Sequence, residues 1–360
     1  MAMDQITVLL GGDLHVQREN PESIFAHVIE ELRKADIRFG NLEMMLTDIR
    51  KPLAGREVGR LVSDERMLSA YTYAGFDAVG LANNHSMDQG IEGLLRCIEL
   101  LDAAGIIHTG GGPNLAEARR PAVVERNGAS VAFLSYTSVF HPSYAATDVL
   151  GGLSTIRAIT SYQPHRLVDE APGSPPTVRT QPDPADLARL AEDVKIARSQ
   201  AQVVIASCHW GLSPLTGGDA MIPVQEYQTA IAHAAIDAGA DLVLGHHPHM
   251  LQGIEVYRGK TILYSVGNYA FDFFVGGRLT TDTRLQTAAL VKVTIRNGAI
   301  ERVGVIPVRI NVAGQPMPLR PADAPDIVQI LRELSEPLGA RLEAGEEDLM
   351  VALPAPVAVS

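Results

Sequence analysis

The chain has 360 residues, 46% of them hydrophobic, which is enough to bury one large core or two modest ones and excludes wholesale disorder. Thirty Lys plus Arg stand against 42 Asp plus Glu, a formal charge of -12, so the surface repels nucleic-acid phosphates and anionic bilayers, and no nucleic-acid partner is expected. The two cysteines, Cys97 and Cys208, supply neither a disulfide framework nor a CxxC metal site.

Met1 to Gln5 lead straight into Ile6-Thr-Val-Leu-Leu10 without a basic segment, a long apolar stretch or a cleavage site. No stretch reaches the roughly 18 uncharged apolar residues of a membrane span, and a soluble, cytoplasmic protein is the expectation. Short apolar runs then alternate with amphipathic segments, the pattern of an α/β protein. Strands are predicted over Ile6 to Leu10, Ile37 to Gly40, Ala78 to Leu81, Ser130 to Ser135, Val203 to Ser207, Leu242 to Leu244 and Thr261 to Val266. Helices are predicted from Pro21 to Ala35, with proline in the first turn, from Gln89 to Ala104 before Gly105, from Asp183-Pro184 to Arg198, and from Val224 to Ala238 before Gly239. Asn297-Gly298 joins two strand-like runs, Ala288 to Ile295 and Ala299 to Val312, as a hairpin. Residues 1–315 are read as one domain with an irregular insertion over about 139–184, in which Gly151 to Pro184 lacks periodicity and reads as a solvated loop or a lid. Residues 316–360 are read as a C-terminal helix and an Ala/Pro-rich tail, poorly ordered from Arg341 onward.

Polar residues recur where the predicted strands end. The first strand runs into Gly11-Gly12-Asp13-Leu14-His15, and alternation along an extended chain puts Asp13 and His15 on one side. The second ends in Gly40-Asn41-Leu42-Glu43, where Asn41 and Glu43 share a face by the same rule. The third ends in Asn83-Asn84-His85, followed by Asp88; an Asn-rich turn capping the next helix is the plain alternative there. Later strands arrive at His209-Trp210-Gly211 and at Gly245-His246-His247-Pro248-His249. Carboxylates, amides and imidazoles at the carboxyl ends of five strands, where α/β sheets place their sites, point to a metal centre. A donor set without thiolate suits Mn or Zn first, with Fe, Co and Ni also suited, rather than an all-oxygen Mg or Ca site.

The segments GGDLH, GNLE, LANNHSMDQG, CHWG, GADLVLGHHPHMLQGIEVY and ILYSVGNYAFD, in this order, resemble the calcineurin-like metallophosphoesterase superfamily over about residues 6 to 275. The resemblance is closer still to its CapA branch, the poly-γ-glutamate capsule biosynthesis proteins. It implies a four-layer α/β/β/α sandwich with two divalent metal ions at the strand ends. Asp13, His15 and His249 would hold one ion, Asn84, His209 and His247 the other, and Glu43 would sit at or near the bridge. His85 would act as acid or transition-state stabiliser, oriented by Asp88, with Asn41, His246, Trp210 and Asn268 beside the ligands or the substrate.

The chain departs from the superfamily pattern in reading Gly-Asn-Leu-Glu where GDxxD is usual, in placing Ser86 after the Asn-His pair, and in showing no anchor. Three functions stay open on this reading, with a small-molecule or peptide substrate for the first two. One is a dinuclear metallohydrolase acting on a phosphoester or on a peptide or amide bond, and another a metal-dependent peptide epimerase acting at an amino-acid Cα. The third is a non-catalytic accessory protein of poly-γ-glutamate capsule synthesis. Homo-oligomerisation is left open. Trp210, Tyr269, Phe271, Phe273 and Phe274 are either an apolar wall of the site or core, and Arg157, His165 and Arg166 either face an anionic group or are solvated.

Overall fold

The computed structural model describes residues 5–52, 61–214, 222–272 and 283–353. Two sheets form the frame. The larger runs in the order Leu342–Ala344, Leu349–Val351, Ala299–Ile310, Thr287–Arg296, Ile6–His15, Ile37–Leu42, Ala78–Gly80, Ile107–Thr109. Its last four strands are parallel, and Asn268–Phe271 joins the end of Ile6–His15, also in parallel. The smaller sheet runs Ile254–Tyr257, Lys260–Leu263, Leu242–His246, Val203–His209, Ala129–Thr137, Ala122–Arg126, with its four central strands parallel.

Three separate apolar interfaces make four layers. Ile6, Val8, Leu10, Ile37 and Phe39 of the larger sheet meet Val131, Phe133, Val203, Ile205, Leu242 and Leu244 of the smaller, with Phe39 and Phe133 stacked at 4.5 Å. Alternate residues such as Leu9 and Val79 face outward and are covered by helices Ile29–Lys34, Leu68–Ala74 and Gly90–Ala103. Ala132, Leu134, Val204, Ala206 and Val243 are covered in the same way by helices Pro184–Gln200 and Glu226–Ala238. Strands buried on both faces read as continuous apolar runs, which is why their positions were legible. The chain is therefore an α/β/β/α sandwich of the metallophosphoesterase type.

Helix boundaries follow their capping residues. Asp183 accepts from the backbone N–H groups of Ala185 and Asp186 and opens Pro184–Gln200, whereas Gly239, at φ 117°, closes Glu226–Ala238.

Several expectations need correction. The predicted helix from Pro21 to Ala35 is two pieces, a 3-10 turn over Pro21–Phe25 and a helix over Ile29–Lys34. The insertion is not irregular throughout: Ala158–Gln163 pairs antiparallel with Thr177–Pro182 over six residue pairs. That hairpin is largely exposed on both faces, so it carries no apolar alternation to read. Residues beyond Arg341 are not uniformly loose either, because Leu342–Ala344 and Leu349–Val351 add two strands to the larger sheet and bury Leu342, Leu349 and Val351.

Candidate metal centre

The first strand brings Asp13 to the end of the larger sheet by a close backbone approach. A Cβ on Gly12 would lie 2.0 Å from the Gly267 carbonyl oxygen, so only glycine fits there, and the Asp13 N–H donates to that same oxygen at 3.3 Å. Strand register shifts on both sides of Asp13, between Leu10 and Asp13 on one neighbour and between Asp13 and Leu14 on the other. Asp13 is thereby paired in register with Asn41 and with Asn268. Its carboxylate accepts from the Asn41 amide at 2.8 Å and from the His247 backbone N–H at 3.3 Å.

Glu43, one residue past the second strand, is fully buried below this point. Its Oε1 lies 3.4 Å from His209 Nε2 and 3.6 Å from His249 Nε2, so the carboxylate stands between imidazoles from two different strand ends. His209 Nε2 also lies 2.7 Å from Asn84 Oδ1 and 3.1 Å from His247 Nδ1. His249 Nδ1 lies 3.4 Å from Asp13 Oδ2 and 2.9 Å from Asn268 Oδ1. His247 and His249 both sit in left-handed backbone, at φ 95° and 56°, a conformation costly for residues with a Cβ and concentrated at functional sites. Two ligand groups result, each with donor atoms within 4.8 Å of one another: Asp13 with Glu43 and His209, and Glu43 with His247 and His249. Glu43 belongs to both.

His15 belongs to neither group. The register shift after Asp13 falls on the neighbouring strand, where Tyr269 is the extra residue, and Asp13-Leu14-His15 itself runs on without a break. His15 is buried against Phe271, ring centroids 5.4 Å apart, and its Nδ1 has no hydrogen-bond partner.

Burial dominates the electrostatics. It holds the Glu43 carboxyl well above the usual carboxylate range, reinforced by the neighbouring charges of Asp13 and Asp88. It lowers His15 and His246 to about 4, and pushes His209 and His247 well below the ordinary imidazole value, with like charge from neighbouring imidazoles adding to the effect. His249 is lowered by burial against the opposing pull of Asp13. The imidazoles are thus held neutral, the form in which they donate to a metal.

Both Glu43 oxygens, His15 Nδ1 and both ring nitrogens of His246 are buried without a hydrogen-bond donor or acceptor to meet them. Each such atom costs about 1–3 kcal/mol when left unmet. A divalent cation between the carboxylates and imidazoles would meet the Glu43 oxygens, and this nitrogen and oxygen donor set fits one.

The third strand delivers a different kind of group. Buried Asn83 accepts at Oδ1 from the backbone N–H groups of His85 and Ser86 and from the Ser86 hydroxyl, and donates to Leu42 O at 2.8 Å. It ties the turn that carries Asn84 and His85 to the strand end that carries Glu43. Asn83 stood in the Asn-Asn-His motif but nothing local marked it as the organiser. His85 Nδ1 lies 2.8 Å from Asp88 Oδ2, which also accepts from the Leu61 N–H. The charge of His85 is felt at His15, His209, His247 and His249, so it stands beside the cluster without joining it. Asp88 holds His85 through Nδ1.

The remaining expected residues divide. Asn268 holds His249 through its Oδ1 and donates to the His249 and Leu285 carbonyl oxygens. His246 is buried between the sheets, its Nδ1 3.5 Å from Asp13 Oδ1. Trp210 packs with Tyr264 in the outer core and donates its indole N–H to Tyr264 O, so it does not wall the site. Tyr269 is core as well, whereas Phe271 touches both His15 and His249. Phe273 and Phe274 lie outside the described residues. Arg157 is engaged with Asp186 and Asp183; His165 is bonded within its own turn, and Arg166 is exposed.

A four-layer sandwich with a nitrogen and oxygen ligand cluster at its strand ends is the architecture of a metallophosphoesterase-type protein. Within that class the chain belongs to the bacterial capsule synthesis protein family PGA_cap, whose model matches residues 7–273. It is 29% identical over 350 residues to the capsule biosynthesis protein CapA of Bacillus anthracis, covering 92% of this chain and 74% of that one. It is 27% identical over 328 residues to the PGA biosynthesis protein CapA of Bacillus subtilis, covering 89% and 73%. To a probable polyglutamine synthesis accessory protein of Mycobacterium tuberculosis it is 30% identical over 283 residues, covering 76% and 66%.

Proposed function

We propose that this chain is a metal-dependent hydrolase that acts on a phosphoester or on a peptide or amide bond. The observation that carries this reading is Glu43, a fully buried carboxylate with both oxygens unmet, shared by two convergent ligand groups. Asp13, Glu43, Asn84, His209, His247 and His249 would hold two divalent ions, with Mn or Zn the best match to the donors, and His15 would lie at the edge of that set. Two such ions acidify a water and neutralise charge on a phosphoryl or carbonyl oxygen.

The residues around them have defined tasks. Asn41 and Asn268 fix the orientations of Asp13 and His249 through their amide groups. His85, held through Nδ1 by buried Asp88, presents Nε2 to protonate a leaving group or to stabilise developing charge.

Purified protein should contain Mn or Zn by elemental analysis, gain thermal stability when either is added, and hydrolyse a generic phosphodiester or a peptide. His85→Ala should lower turnover by about 10²-fold or more while leaving metal content unchanged. Protein that takes up no transition metal and is not stabilised by one would end this reading.

A second reading rests on the relatives' names, which speak of capsule and polyglutamine synthesis, one of them as an accessory protein. On it the chain assists assembly of an anionic polymer without catalysis, and His85→Ala would leave that assistance intact. Solvent deuterium entering the Cα of a peptide that stays uncleaved would instead favour epimerisation.

A further inference from the structure

On the outer side of the smaller sheet lies a cavity of about 560 Å³, whose wall residue Ser138 donates its backbone N–H to the His209 carbonyl oxygen at 2.9 Å. It is walled by helix Pro184–Gln200, by the segment that follows strand Ala129–Thr137, and by the start of the insertion. Its volume is that of a small-molecule site.

The helix presents an anomalous stripe to this cavity. Asp186, Arg189, Leu190 and Asp193 fall at i, i+3, i+4 and i+7, the spacing of a core-facing stripe, yet three of the four are charged. Asp186 is 3% exposed and Asp193 4%, a degree of burial that carboxylates tolerate only when paired.

Both are paired with arginines on the cavity wall, Arg119 and Arg157 each through the Nε and Nη2 edge. Asp193 takes Arg119 Nε at 2.8 Å and Nη2 at 2.5 Å, and the Tyr136 hydroxyl at 3.0 Å. Asp186 takes Arg157 Nε at 2.7 Å and Nη2 at 3.0 Å, and also Arg189 Nη2. None of the three Nη1 groups donates to any described residue. Two guanidinium groups, Arg119 and Arg157, are thus held by two-point contacts to buried carboxylates and Arg189 by one, each with unused N–H donors. Arginine held in this way is preorganised for a carboxylate, because its rotamer is already fixed. Asp148, exposed and also on the wall, supplies the opposite charge.

We propose that this cavity binds a small zwitterion of the amino-acid or peptide-terminus class, its carboxylate taken by the free edges of Arg119, Arg157 and Arg189 and its ammonium by Asp148. The site does not require the metal centre to be catalytic.

Isothermal titration of the full chain with the dipeptide Ala-Ala, its N-acetyl form and its C-terminal amide tests this directly. The free dipeptide should bind, and each blocked form should bind about tenfold weaker or worse, as expected when a charged hydrogen bond is lost. Asp148→Asn, at an exposed position, should weaken the free dipeptide to the level of the N-acetyl form. Arg189→Gln should weaken the free dipeptide to the level of the amide. If Arg189→Gln unfolds by circular dichroism, Asp148→Asn decides alone. Absence of binding, equal binding of free and blocked dipeptides, or dipeptide binding unchanged in Asp148→Asn would each overturn the proposal.

Discussion

Glu43 is the residue on which the proposed centre turns, and its environment makes opposite demands with and without a cation. Without one, burial and the charges of Asp13 and Asp88 favour the protonated carboxyl; with one, the ionised form is needed. Glu43→Gln should therefore leave the metal-free protein at least as stable as the wild type, because a neutral amide replaces a poorly solvated acid. The same variant should lose most of the rise in melting temperature that Mn or Zn gives, since a ligand stabilises only in proportion to its binding. Scanning calorimetry of both proteins with and without metal checks this. Glu43 could be named from the sequence because alternation past the second strand puts it on one face with Asn41. His15, which alternation places on the side of Asp13, packs against Phe271 with its Nδ1 unmet.

At the scale of elements, strands covered on both faces declare themselves as apolar runs: seven strands and the hairpin around Asn297-Gly298 are legible with ends off by up to five residues, whereas Ile107–Thr109, Ala122–Arg126, Ile254–Tyr257 and Asn268–Phe271 are not. Two further kinds of element did not declare themselves. The hairpin Ala158–Gln163 with Thr177–Pro182 is exposed, and the strands Leu342–Ala344 and Leu349–Val351 are only three residues each. Short edge strands owe their order to the sheet they join rather than to their own propensity. Leu349 is completely buried against that sheet, so Leu349→Ala should cost about 2–5 kcal/mol in urea unfolding. A cost near zero would mean that the added edge is not part of the cooperative fold.

For the molecule as a whole, five neutral buried imidazoles link stability to pH. His15 and His246 are lowered to about 4, and His209, His247 and His249 are lowered as well. Below the ordinary imidazole value of about 6.5 the unfolded chain takes up protons that the folded chain refuses, so unfolding gains free energy as pH falls. Glu43, held high, works against this, but one carboxyl opposes five imidazoles. The metal-free protein should lose stability steadily from about pH 6.5 down to about pH 4, as denaturant midpoints across that range will show. A midpoint that holds constant over the window would mean that the imidazoles are not kept neutral. Among the described residues no helix is long and apolar enough to cross a membrane. By itself the sequence determined the α/β class, the order of the main strands and the residue types at their ends, because burial on both faces and polar strand ends leave local signals. Only the tertiary structure decided which of those end residues meet, how Asn83 and Asn268 hold them, and that Arg119 and Arg157 find Asp193 and Asp186. Those choices rest on register shifts and on contacts between residues far apart in the chain, for which no local pattern exists.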